Sequence, residues 1–225
     1  MKAVAIILAA GEARRMAHPK ALIEHEGGRS FLQSLASTFG KAGCAVLGVI
    51  GKDAEAVRDQ HPSVNLVDSP RWQEGPMSSI KAGLMSALEE GADVVLLQPV
   101  DMPAVRASTL KSLLKAMGDS EEGLRPEFEA APGFPVVLSR AAAEQLMGSD
   151  EAQLDAALQA MKLRRVSVKD PGVVVNINTP ETYERLFGTP PRLAPPPKRR
   201  MKKISSPEMP AVQSSGMEMS ASPEE

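Results

Sequence analysis

The chain has 225 residues, with 26 Lys+Arg against 28 Asp+Glu, a net charge of −2 and a single cysteine. That length suits one good-sized domain with an appendage, and the near-neutral balance lacks the basic excess of a dedicated nucleic-acid binder. One thiol, Cys44, excludes an intramolecular disulfide framework and a zinc site built on paired thiolates.

In chain order, the apolar run Val4–Leu8 reads as a first strand. Lys2 followed by Ala3–Ala10 has the charged and apolar parts of a short secretory signal. The run passes directly into the charged loop Gly11–Arg15 without a cleavage pattern, so a cytoplasmic protein is expected. A helix is predicted over Ser30–Ala42 and a strand over Ala45–Ile50, with Cys44 as a core thiol at its start. Helix Ala54–Gln60, strand Val64–Val67, helix Ser78–Glu90 and strand Val94–Leu97 follow. Then come helix Ala107–Met117, strand Pro135–Leu138, helices Arg140–Met147 and Glu151–Met161, and strands Arg165–Val168 and Val173–Ile177. Thr179 is a good N-cap for a last short helix, Pro180–Leu186.

Near-continuous apolar strands alternating with helical patterns indicate a doubly wound α/β domain with a mostly parallel sheet covered on both faces. No apolar stretch approaches the roughly 20 residues of a membrane span, and no membrane partner is expected. The composition changes after Gly188: residues 189–225 hold 8 of the 19 prolines and no aromatic residue. The predicted division is a domain over 1–188 and a disordered Pro/Ser/Lys-rich tail over 189–225, whose basic cluster Lys198–Lys203 could meet an unidentified partner.

In an open parallel sheet, ligands bind beyond the carboxyl ends of the strands, so the residues just after each strand matter most. After the first strand, small residues let the backbone approach a ligand, and Arg14, Arg15 and Lys20 bring positive charge to one loop. That is polyphosphate chemistry, although the spacing is neither that of a P-loop nor that of a dinucleotide turn. After the fourth strand, Asp101 stands between Pro99 and Pro103, placed either to hold a hard cation such as Mg2+ or to cap the next turn. Near the last strand, Asn176 and Asn178 could complete a cation site through side-chain oxygens or serve as turn residues. His18, His25 and His61 are scattered and read as surface residues.

Taken together, these stretches resemble the MobA-like nucleotidyltransferases, the family that includes molybdenum-cofactor cytidylyl- and guanylyltransferases. The family's opening Leu-Ala-Ala-Gly, Arg-Met and Lys match Leu8–Gly11, Arg15-Met16 and Lys20. Its Asp-x-Pro matches Asp101-Met102-Pro103, its Asn-x-Asn-Thr-Pro-Glu matches Asn176–Glu181, and its Gly-Met-x-Ser-Ser loop is similar to Gly75–Ser79. The resemblance spans about residues 3–187 and implies a Rossmann-like three-layer α/β/α fold. It also implies Mg2+-dependent transfer of an NMP from an NTP to a phosphorylated small-molecule acceptor, such as molybdopterin, with release of pyrophosphate.

By the same resemblance, Leu8, Ala9, Ala10, Gly11, Lys20, Ser78 and Ser79 would bind the nucleotide. Arg15, Lys20 and Asp101 would be catalytic, and Asp101 and Asn178 would hold the metal. The second alanine, Ala10, favours CTP over GTP, because the guanylyl branch usually has glycine there. This sequence departs from the cytidylyl branch at Ala13, at Ala17, at Phe134 within Gly133-Phe134-Pro135, and at Gly148–Glu151. The sequence departs most in the acceptor pocket, and Asp119–Gly133 is expected to form an acceptor-side loop. A sugar-1-phosphate nucleotidyltransferase is the alternative enzyme, and a non-catalytic nucleotide-binding regulator the alternative of another class.

Overall fold

The computed structural model describes residues 1–118 and 121–196. In chain order its elements are β1 (Ala3–Ala9), α1 (Phe31–Lys41), β2 (Ala45–Ile50), α2 (Ala54–Gln60), β3 (Asn65–Asp68), α3 (Pro76–Glu89), β4 (Val94–Pro99) and α4 (Ala107–Ala116). They continue with β5 (Gly123–Phe128), β6 (Ala131–Pro132), β7 (Val136–Ser139), α5 (Arg140–Met147), α6 (Leu154–Gln159), β8 (Leu163–Ser167) and α7 (Pro180–Phe187).

The strands form one eight-stranded sheet in the order β3-β2-β1-β4-β7-β5, with β6 and β8 both pairing β5. The β3-β2-β1-β4 half is parallel, β7 runs antiparallel to β4 and β5, and β8 is parallel to β5. The unbroken apolar character of β1 follows from its central position. Successive side chains of a strand point to opposite faces, so both sets must be apolar when both faces are covered. Ala3, Ala5 and Ile7 enter a core with Phe31 and Leu35 of α1, Leu110 of α4 and Tyr183 of α7. Val4 and Ile6 enter a second core with Ile80 and Leu84 of α3 and Ala143 and Leu146 of α5. This is the expected three-layer α/β/α arrangement.

Capping explains where two helices begin. The Ser30 hydroxyl accepts the Gln33 N–H at 3.1 Å and meets His61 Nε2 at 2.6 Å, tying the start of α1 to the end of α2. The Thr179 hydroxyl accepts the Thr182 N–H at the start of α7. On the other face, α3 lies against the sheet at Gly83, where a Cβ would stand 2.6 Å from Ile6 Cγ2 and 2.8 Å from Val49 Cγ2.

Three expectations are corrected. Val173–Ile177 is not a strand: Pro171–Val173 is a short helical turn and the chain then runs irregularly to Thr179. Val173 and Ile177 are buried as a strand would require, but their backbone bonds go singly to other loops, from Phe134 N–H to the Val173 carbonyl and from Ile177 N–H to the Asp101 carbonyl. Within the expected acceptor-side loop, Gly123–Phe128 is strand β5, and β6 turns back on it. The third correction concerns the boundary at Gly188. Leu193 bridges Ile23, Ala194 N–H donates to the Leu22 carbonyl, and Gln60 Nε2 donates to the carbonyls of Ala194 and Pro195. Arg192 adds an ion pair with Glu24 at 2.5 Å, so the folded body continues past 188. The cluster Lys198–Lys203 lies outside the described residues. Among the described residues, no helix is long and apolar enough to cross a membrane.

A chain ending at Gly188 is expected to be less stable than one ending at Pro196 by about 2 kcal/mol, since net hydrogen bonds contribute roughly 1 kcal/mol each and exposed ones less. Urea unfolding of the two chains measures the difference, and equal midpoints would restore the earlier boundary.

Candidate functional site

Parallel register brings the functional loops to one edge. Ala9 of β1 stands opposite Ile50 of β2, and Leu8 stands opposite Pro99 of β4, so Gly11, Gly51 and Asp101 all emerge just beyond the same level of the sheet. The loop after β1 is held to the loop after β2 by Lys52 N–H donating to the Ala10 carbonyl at 3.2 Å. Position 51 has room for glycine alone: a Cβ would stand 2.5 Å from the Ala10 carbonyl oxygen and 2.8 Å from the Trp72 side chain.

Within the β1 loop, Met16 is buried and its N–H closes a turn on the Ala13 carbonyl at 3.1 Å. The N–H groups from Gly11 to Arg15 take no partner among the described residues, leaving a run of donors of the kind that receives phosphate oxygens.

Lys20 carries the densest contact. Its ammonium donates to Asp101 Oδ2 at 2.8 Å and to Asn178 Oδ1. Both the Lys20 and Asp101 side chains are largely enclosed, at 21% and 13% exposure, so this pair is less screened than a surface ion pair. The turn that presents Asp101 is fixed from beneath by Gln98, whose buried Nε2 donates to the Met102 carbonyl at 2.9 Å. Ile177 N–H donates to the Asp101 carbonyl at 2.8 Å and sets Asn178 beside it.

Two adjoining cavities, about 840 Å³ and 140 Å³, share Leu8, Gly11, Glu12 and Pro99 as a common wall. The larger has Trp72, Ile80 and Leu154 as apolar sides, with Ala10, Ser79, Arg14 and Lys52 also lining it. The smaller holds Ala9, Lys20 and Asp101. Leu8, Ala9, Ala10, Gly11, Lys20, Ser79 and Asp101 therefore gather around one connected space, with Asn178 joined to it through Lys20. Arg15 and Ser78 do not join them. Arg15 is exposed and lines neither cavity, whereas its neighbour Arg14 does. The Ser78 hydroxyl donates to the carbonyls of Arg71 and Gly75 at 2.6 and 2.8 Å and lines an adjacent surface groove, while Ser79 Oγ meets Ser69 Oγ at 2.9 Å.

The structure adds residues that the sequence reading left out. Glu12 accepts from Lys52 Nζ and from Arg14 Nε, the latter at 2.8 Å. These two cations, Lys52 foremost, hold the Glu12 carboxyl below its ordinary range. Lys52 and Asp53 directly follow β2, so the end-of-strand rule that singled out Asp101 also reaches them. Beside β5, the Arg125 guanidinium lies 5.4 Å from the Phe134 ring centroid and pairs with Asp155 at 2.9 Å. Among the described residues, no cluster of three or more His, Cys, Asp or Glu side chains could hold a metal.

The family model of the MobA-like NTP transferase domain matches residues 5–167. The chain is 27% identical over 197 residues to a molybdenum cofactor guanylyltransferase of Cereibacter sphaeroides, covering 82% of this chain and 95% of that protein. It is 22% identical over 186 residues to a probable molybdenum cofactor guanylyltransferase of Mycobacterium marinum, covering 77% and 88%. Among solved structures, Rv0371c from Mycobacterium tuberculosis H37Rv superposes with a TM-score of 0.71 at 21% identity, covering 84% of this chain and all of that one. Its complex with manganese superposes with a TM-score of 0.66 at 22% identity over the same shares.

Asp170 supports the site from behind. Its carboxylate is 3% exposed and accepts from Arg106 N–H, the Thr109 hydroxyl and Gly172 N–H at 2.9, 2.7 and 3.0 Å. Asp170→Ala strands those donors and is expected to cost about 2–3 kcal/mol of stability, read from urea unfolding. A loss under half a kcal/mol, on the order of an ordinary surface substitution, would deny it that role.

Proposed function

The chain belongs to the MobA-like NTP transferase family and is a nucleotidyltransferase, and from that premise we propose that it moves an NMP from an NTP to a phosphorylated, molybdopterin-type acceptor. The observation that carries this reading is the convergence of Lys20, Asp101 and Asn178 beside the cavities floored by Leu8–Gly11. The names of the Cereibacter and Mycobacterium marinum relatives support the acceptor class.

A divalent metal fits these residues. The Asp101 carboxylate and the Asn178 amide oxygen already converge on one cation, the Lys20 ammonium. An all-oxygen set with a single carboxylate suits Mg2+, which normally takes its remaining ligands from phosphates and water. When bound, the metal supplies neutralisation of phosphate charge. The Lys20 ammonium stands where it would pair with the triphosphate, and the N–H groups from Gly11 to Arg15 would receive phosphate oxygens. Arg14 and Lys52, held at the rim by Glu12, add positive charge, with Arg15 available from the same loop. Trp72, Ile80 and Leu154 give the base apolar walls. Ser79 lies on the nucleotide side, while Ser78 holds the loop before α3 in shape.

An acceptor phosphate oxygen attacks the α-phosphorus of the NTP, and the bond from that phosphorus to the bridging oxygen breaks. Pyrophosphate leaves with the electron pair. No protein nucleophile is required, because phosphoryl chemistry depends on positioning and electrostatic stabilisation.

For the base, Ala10 supports CTP. It lines the larger cavity, and the Leu8-Ala9-Ala10-Gly11 form of this loop resembles the cytidylyl branch. The guanylyltransferase names of the relatives favour GTP as the second reading. Pyrophosphate release with CTP or GTP, against molybdopterin and against sugar phosphates, tests the whole assignment. Release only with sugar phosphates would make the protein a sugar-1-phosphate enzyme, and no release with any acceptor would leave a nucleotide-binding regulator.

Asp101→Ala is expected to abolish pyrophosphate release while circular dichroism stays native. Lys20→Met is expected to lower turnover by about 10²–10³ yet tighten Mn2+ binding without nucleotide, because the competing ammonium is gone. Weaker Mn2+ binding in Lys20→Met would overturn the shared-oxygen reading. Ala10→Gly should move the CTP-to-GTP ratio of kcat/KM toward GTP by roughly tenfold or more, the usual value of one methyl group in a pocket.

A further inference from the structure

Among the described residues, Gln98 is the only buried amide side chain, at 0% exposure. It stands in β4 opposite Ile7 of β1. Along β4, Val94 and Leu96 enter the core that holds residues of α1, α4 and α7, while Val95 and Leu97 enter the other. Alternation therefore turns Gln98 toward the first of these cores, a place suited to an apolar side chain.

A buried amide has two donors and an acceptor oxygen to account for. Both donors point at the short turn after the strand. Nε2 donates to the Met102 carbonyl at 2.9 Å and makes a longer contact of 3.4 Å to the Pro99 carbonyl, so it holds the chain on either side of Asp101. The same turn is closed by Met102 N–H on the Pro99 carbonyl at 3.3 Å and joined to β1 by Val100 N–H on the Leu8 carbonyl at 3.1 Å. The Gln98 Oε1 atom takes no partner. An unpaired buried amide oxygen costs stability, and an apolar side chain would fill the strand position without that cost. What the amide adds is its hold on the turn.

Asp101 depends on that hold. Lys20 is the only hydrogen-bond partner of its carboxylate among the described residues, so the backbone turn decides where the side chain points. The Asp101 carbonyl in turn accepts Ile177 N–H at 2.8 Å, one residue before Asn178. A displaced turn therefore moves the Asp101 carboxylate and disturbs its alignment with the Asn178 amide oxygen.

We propose that Gln98 is a positioning residue of the site. It lines neither cavity around Leu8 and Gly11, and it acts by holding the turn from Pro99 to Met102 so that the Asp101 and Asn178 oxygens face one cation. This role rests on the reading of those two oxygens as the metal-holding pair. Outer partners that orient metal-holding side chains govern metal affinity and activity by roughly 10–100-fold without touching the metal.

Gln98→Met tests the role, because methionine keeps the length and the packing but has no donor. The substitution removes the unpaired Oε1 and leaves the Met102 carbonyl, which has no other donor among the described residues, unpaired in its place. The urea midpoint is therefore expected to stay close to the parent's. Amide exchange at Ile177 is expected to quicken by about tenfold or more, and Mn2+ binding without nucleotide to weaken by roughly 10–100-fold. At saturating metal, kcat for pyrophosphate release falls by a similar factor while KM for the NTP stays near the parent's. Leu96→Val, which removes bulk from the same face of β4 without touching the turn, is expected to keep the parent's Mn2+ affinity and kcat. Unchanged Ile177 exchange in Gln98→Met, or faster exchange with the parent's Mn2+ affinity and kcat, would overturn the proposal. An equal loss of kcat in Leu96→Val would also overturn it, as the mark of a merely structural role. Exchange and Mn2+ binding need no acceptor, so a parent that binds Mn2+ yet releases no pyrophosphate would sink the transfer reading while these two measurements still decide for or against Gln98.

Discussion

One ammonium group joins three distant stretches of chain. Lys20 follows the first strand, Asp101 the fourth, and Asn178 precedes the last helix, yet the Lys20 Nζ atom donates to both oxygens. Two oxygens of partial or full negative charge can share this small space because a cation lies between them. The rest of the site is arranged around that need. Gln98 fixes the Asp101 turn, Ile177 aligns Asn178 with it, and Asp170 holds the start of α4 and the loop before α7 in place. In the proposed function a substrate carrying its own metal and phosphates would satisfy the same charges in another way, so that a resting ion pair and the proposed catalytic centre would occupy the same atoms.

Much of the scaffold was legible because its residues answer to a single local rule. β2, α2 and α5 occur over the predicted residues, Ala45–Ile50, Ala54–Gln60 and Arg140–Met147. A buried strand must be apolar on both faces, and a Ser or Thr cap marks where a helix starts. β5 was hidden because its pattern is polar and contains a proline. Arg125 and Glu127 find charged partners in Asp155 and Arg165, so they need not be apolar to sit in the sheet. Val173–Ile177 shows the converse. Its side chains are buried like those of a strand, but Gly172 presses against the Ala104 carbonyl, and the backbone pairs with two loops rather than a neighbouring strand.

The site was legible by strand ends and opaque by one residue. Leu8–Gly11, Lys20 and Asp101 follow from the rule that parallel sheets bind ligands beyond their carboxyl edges. That Arg14 lines the cavity while Arg15 does not, and that Ser79 faces it while Ser78 bonds to loop carbonyls, depends on loop orientation and on the rotation between successive helical positions, roughly 100° per residue. No composition reports that angle. Glu12 was opaque for another reason: its partner Lys52 comes from the loop after the second strand, so their pairing exists only once β1 and β2 are side by side.

The docking of residues 192–195 has a mechanical consequence. Ala194 bonds to the Leu22 carbonyl and Glu24 N–H to the Arg192 carbonyl, so the far end of the folded body is fastened two to four positions beyond Lys20. Tension applied at the carboxyl end therefore reaches the loop of the central ion pair directly, without first being borne by the sheet. A tether, resin or fused domain attached there pulls on the loop that carries Lys20, whereas the same load at the amino end falls on β1, between β2 and β4 in the sheet.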